Sequence, residues 1–184
     1  MRLLCLLLLA AGSLPAQAPT GGVSSQWDIR AMLASLESRA RQLAPVLDQL
    51  RPNDWVKRGA SQAYVGQCTT AKNELNYLAG SAQTLAKDPE KLAAAIDTLF
   101  RMEAFDSTLG SLIEGTRRYQ NPAIADLMQS VTNENDANRE HLKQYVLDLA
   151  SDKEHELQVM DAEAQRCRAS LSRQKPPAKT QEKR

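Results

Sequence analysis

Four stretches of this chain carry apolar residues at alternating steps of three and four, the spacing that lines one face of a helix packed against other helices. The first seam is Ile29, Leu33, Leu36, Ala40, Leu43, Leu47 and Leu50, and the second is Tyr64, Cys68, Ala71, Leu75, Leu78, Ala82 and Leu85. The third runs through Leu92, Ile96, Leu99, Met102 or Phe105, Leu109, and Leu112 with Ile113. The fourth is longest: Ile124, Met128, Val131, Asn135, Asn138, Leu142, Tyr145, Leu149, Asp152, Glu156, Met160, Ala164, Cys167 and Leu171. Four such faces are hidden from water most simply against one another, which predicts an all-α fold, an antiparallel up-down-up-down helical bundle with an unusually long fourth helix. Only 4% of the residues are aromatic while Ala, Leu, Gln, Glu and Lys abound, so an all-β fold is disfavoured.

Proline and small polar residues punctuate the seams. Ser24 or Ser25 is placed to cap the first helix and Pro52 to stop it; Pro45 lies off the seam, which predicts a bend with the ring facing solvent. Residues 51–59 read as a connector. Asp88-Pro89-Glu90 reads as the start of the third helix, with Asp88 as cap and Pro89 at the first helical position, and Asn121-Pro122 repeats the device for the fourth. Gly110 and Gly115 allow either close packing or fraying, and glycine's helix penalty favours a helix loosening toward Tyr119. The fourth helix meets no Gly or Pro from Ala123 to Lys175, a rod of roughly 75 Å at 1.5 Å per residue.

Residues 1–18 have the layout of a secretory signal peptide: Arg2, an apolar core from Leu3 to Ala11, and the small-residue ending Ala16-Gln17-Ala18. The core is too short to span a bilayer and no later stretch approaches the length a membrane helix needs. The expected organisation is a signal peptide over 1–18, a flexible leader over 19–25, one helical-bundle domain over 26–172 and a disordered basic tail over 173–184. The whole chain has a formal charge of +1, which disfavours a generic polyanion binder. That neutrality is compensation. Residues 19–87 carry eight positive and five negative side chains (+3), residues 88–163 seven and sixteen (−9), and residues 164–184 seven and one (+6).

An exported chain with Cys68 and Cys167 raises the question of a disulfide, and helix geometry frames the answer. Cys68 lies about 14 residues below the end of the bundle where the first helix passes to the second and the third to the fourth, roughly 21 Å, whereas an unbroken fourth helix carries Cys167 roughly 69 Å from the same end. The two cannot meet unless the chain reverses near residue 150, making a fifth helix that Ser151-Asp152-Lys153-Glu154 would begin as a capping box. The absence of turn residues from Leu149 to Glu156 favours one continuous helix with free or intermolecular cysteines.

Catalytic and metal-binding patterns are sparse. A di-iron bundle needs Glu-x-x-His on two helices; here Asn138 precedes His141, Asp152 precedes His155, and both histidines sit on one helix roughly 21 Å apart, where they read as solvent-facing. Met32 with His155 or His141 supplies the residue types for a b-type haem, although Met32 reads better as a core residue and C-x-x-C-H is absent. Residues 132–138 lack the glycine and terminal glutamate of an EF-hand loop, there is no G-x-S-x-G, and Asn135 with Asn138 reads as a polar layer fixing helix register. Trp27 and Trp55 are placed to cover opposite ends of the core.

The resulting expectation is an exported, non-catalytic bundle, periplasmic or extracellular, acting in protein–protein interaction or scaffolding in the cell envelope. It carries no catalytic, cofactor-binding or metal-binding residue that the sequence singles out, and no cofactor is expected. Its partner is an unknown protein or a second copy bound through the fourth helix, with a weak anionic-envelope contact open to Arg166, Arg168, Arg173, Lys175, Lys179, Lys183 and Arg184. Nucleic acid is not expected as a partner. The alternative is a periplasmic carrier of haem or metal.

Overall fold

A computed structural model describes residues 26–173. Among the described residues five helices follow one another: α1 (Gln26–Asp48), α2 (Pro52–Lys57), α3 (Ala63–Lys87), α4 (Leu92–Tyr119) and α5 (Pro122–Arg173). Four are the long helices expected from the seams; the short α2 occupies what reads in sequence as a plain connector. The signal peptide, the leader with its capping serines, the Trp27 side chain and residues 174–184 lie outside the described residues.

Side-chain pairs between helices set the register. Arg30 Nε donates to the Ala86 carbonyl, Gln83 to Glu37, and Lys72 pairs with Asp48, so α1 and α3 run antiparallel. Ser111 bonds Gln67 and the Arg101 guanidinium sits over the Tyr77 ring, giving α3 and α4 the same relation. Arg117 pairs with Asp126, Arg139 with Asp106 and Lys143 with Glu103, which orders α4 against α5. Arg39 of α1 reaches Glu134 of α5 and closes the ring of four long helices.

All seven residues of the first seam are buried, as is the second from Cys68 onward. The third is rotated at its start: Ala95 and Thr98 are fully buried while Leu92, Ile96 and Leu99 are half-buried flanks. Thr98 tolerates the interior because its hydroxyl donates to the Ala94 carbonyl at 2.8 Å. Asp88-Pro89-Glu90 does not start the helix. It forms a turn, and α4 begins three residues later at Leu92, with Lys91 in the capping position. Asn121 behaves as expected, its side-chain oxygen accepting from the Ala123 amide at 2.9 Å as α5 opens at Pro122. Pro45 is exposed and α1 continues through it to Asp48.

Gly115 overturns the reading of a loosening helix. Helix α4 runs intact to Tyr119, and a Cβ on Gly115 would stand 2.8 Å from the Tyr64 ring and 3.0 Å from the Trp55 ring. The missing side chain lets the aromatic cluster of Trp55, Tyr64 and Tyr119 pack edge-to-face on α4, with ring centroids 5.5 and 6.3 Å apart.

Candidate functional site

The continuous helix foreseen from the missing turn residues is present: α5 has no break near residue 150. Its face toward the other helices is buried at Leu142, Tyr145 and Leu149. The Tyr145 hydroxyl donates to the Pro89 carbonyl at 2.6 Å, tying α5 to the α3–α4 turn at the edge of the bundle. Beyond Lys153 every side chain but Ala164 is exposed, and the helix continues to Arg173. The projecting segment from Ala150 is roughly 36 Å long.

This overhang carries an apolar stripe. Leu157, Met160 and Leu171 are 60–65% exposed, and Ala164 and Cys167 lie between them at steps of three and four. Met160 follows Leu142, and Cys167 follows Leu149, by eighteen residues, about five turns, so the stripe prolongs the face that α5 presents to the bundle core. Core-type spacing therefore continues where no core exists. The charges are divided: residues 150–163 carry Asp152, Glu154, Glu156, Asp161 and Glu163 against Lys153, whereas residues 164–173 carry Arg166, Arg168 and Arg173 and no acid. Lys153 pairs with Glu156 at 3.0 Å, and that contact, with the Glu90 carboxylate at the bundle edge, holds its ammonium above the usual lysine value.

The opposite end of the bundle is polar and tied shut. Gln120 accepts hydrogen bonds from the Arg51 amide and the Trp55 indole N–H, both at 2.9 Å, and donates to the Gln49 carbonyl at 3.0 Å; Arg58 donates to the Tyr119 carbonyl at 2.6 Å. A shallow depression of about 560 Å³ lies over this knot, lined by Arg51, Asp54, Arg58 and Asn121 among others. Its polar groups are largely spent on one another. Lys57 holds the Asp54 carboxyl below its ordinary value, and Gln120 uses its side chain to join the α1–α2 connector to the α4–α5 turn. Nothing in the pattern of residues marks Gln120 in advance, since a lone glutamine after a helix has no distinguishing neighbours.

The other singled-out residues are dispersed. Cys68 is buried between helices and burial pushes its thiol above the ordinary value, while Cys167 is exposed on the overhang; both are free thiols. Met32 is buried in the core, His141 is half-buried on α5, and His155 projects into solvent beyond the bundle. Asn135 is buried and accepts a long 3.5 Å contact from the half-buried Asn138, so the polar layer sits inside the bundle. Among the described residues no group of three or more His, Cys, Asp or Glu side chains is arranged to hold a metal ion, and no helix is long and apolar enough to cross a membrane. Comparison with protein-family models, curated proteins and solved structures finds no match to this chain.

Proposed function

We propose that this chain is an exported helical-bundle protein without catalytic activity, which acts in protein–protein interaction or scaffolding in the cell envelope and uses the projecting end of α5 as its docking element. The observation that carries the reading is the exposed stripe of Leu157, Met160 and Leu171 on a helix that has left its own core. Apolar side chains repeated along one face are covered by association in most proteins that display them. A rigid rod about 36 Å long is also a geometry suited to holding a partner away from the bundle. Export is supported by the signal-peptide layout of residues 1–18.

A photo-crosslinking side chain placed at Met160 in the native host tests the docking role. Discrete covalent protein adducts at this position, and none at Ala162 on the opposite face, are the expected result. Equal labelling at the two positions removes the basis for the reading. The intact mass of the recovered protein tests export, the expected species lacking about 16 to 18 amino-terminal residues.

A further inference from the structure

We infer that the occupant of this face is a second copy of the chain, its overhang lying antiparallel on the first with Ala164 against the partner's Cys167 and Met160 against the partner's Leu171. The inference rests on the reading of the overhang as a docking element and goes beyond it by naming the partner, the direction and the register.

Direction follows from where the stripe points. Because Met160 and Cys167 prolong the face occupied by Leu142 and Leu149, a helix laid on them continues the line of α1, α3 and α4. A parallel copy would have to enter the volume already filled by those helices. An antiparallel copy brings only its free tip toward the bundle edge and leaves its own bundle beyond the far end of the rod.

Register follows from charge and from the length available. Knobs at steps of three and four pack in a few allowed alignments that differ by one heptad. Sliding the partner deeper, so that Leu157 meets the partner's Cys167, puts Asp161 beside the partner's Asp161 and Glu163 beside the partner's Glu163. Two like-charge contacts then fall at the centre. A further heptad drives the tip into the bundle edge near Leu149. The alignment proposed here sets Asp161 beside the partner's Arg168 and Arg168 beside the partner's Asp161, and Glu163 faces only the partner's Ser170. The acidic root of each rod thus lies along the basic tip of the other. The overlap from Leu157 to Arg173 is about 25 Å, short for a coiled coil, so the dimer is reversible with Kd on the order of 10 to 100 µM.

The experiment uses the mature chain, followed by light scattering and sedimentation over about 1 to 500 µM, with Asp161→Arg, Arg168→Asp and the double exchange as variants. Each single reversal turns both symmetric attractions into repulsions and is expected to weaken dimerisation about tenfold, while the double exchange restores the wild-type midpoint. Neither residue touches the bundle, so the thermal unfolding midpoint of the dilute monomer stays unchanged and separates a docking defect from a folding defect. A strict monomer at every concentration overturns the inference, and so does a dimer in which the double exchange is no tighter than the single ones. If the chain is a strict monomer yet Met160 cross-links to a different protein in the cell, the second copy is excluded and the docking role stands. If neither occurs, both fail.

Discussion

Tyr145 and Leu149 mark the limit of the fold on α5: the Tyr145 hydroxyl is bonded to the Pro89 carbonyl at 2.6 Å, and one turn later Leu149 is the last buried side chain of the helix. Everything beyond projects. The same helix therefore serves as core for its first half and as free surface for its second, with no change in local backbone to signal the transition.

Two leucines on the two sides of this limit should behave oppositely. Leu149→Ala removes a side chain that is 3% exposed and is expected to lower unfolding stability by about 2 to 4 kcal/mol. Leu157→Ala, at 65% exposure, should change the stability of the dilute chain by less than about 0.5 kcal/mol. Urea titration monitored by circular dichroism distinguishes them. Equal losses would mean that the end of α5 is covered within the monomer.

The glycines of α4 make a second pair. At Gly115 an added methyl meets the Tyr64 and Trp55 rings at 2.8 and 3.0 Å, so Gly115→Ala is expected to cost about 1 to 2 kcal/mol despite alanine's better helix propensity. Gly110 has no atom within 4 Å of the corresponding position, and Gly110→Ala should raise stability by about 0.5 to 1 kcal/mol. Shifts of opposite sign in the thermal midpoint are the expected readout.

The ion pair between Arg139 and Asp106 at 3.0 Å gives a pH-dependent prediction. Burial raises the Asp106 carboxyl above its ordinary value, and the Arg139 guanidinium pulls it back only in part. A carboxyl whose folded value exceeds its unfolded value binds more protons when folded, so its contribution falls as pH rises through the carboxylate range. Arg139→Met removes the compensating cation. It is expected to cost about 2 kcal/mol at neutral pH and progressively less as the pH is lowered through the raised Asp106 range, where the carboxyl takes up its proton and no longer needs the cation, which denaturant titrations at several pH values would measure.

The buried thiol and phenol predict loss of stability in base. Burial raises both Cys68 and Tyr145 above their ordinary values, so the folded chain holds protons that the unfolded chain releases, and stability is present below the unfolded values and lost above them. The decline should begin near pH 8.5 for Cys68 and steepen near pH 10 for Tyr145. Tyr145→Phe is expected to remove the steeper part while costing about 1 kcal/mol at neutral pH from the lost bond to Pro89. An unchanged slope above pH 10 would contradict that assignment.

Much of the bundle was legible from spacing alone, because a buried helical face imposes a period of 3.6 on apolar residues wherever it runs. That logic located all four long helices, and the missing turn residues gave the continuity of α5. It misplaced the start of α4, since Asp88-Pro89-Glu90 satisfies a local capping pattern that the chain uses as a turn. It also set Ile96 and Leu99 inside where Ala95 and Thr98 lie, because the choice between adjacent faces rests on the neighbour, not on the helix itself.

Local sequence determined helix type, approximate extent and the division of charge along the chain, all properties that depend on residues a few positions apart. Tertiary structure decided the rest: that Gly115 is a seat for two aromatic rings, that Gln120 joins two connectors separated by about seventy residues, and that the apolar face of α5 outlasts its partners. Periodicity describes one helix at a time. Whether a stripe becomes core or exposed surface depends on where the other helices end, and that length match is a property of the assembled bundle.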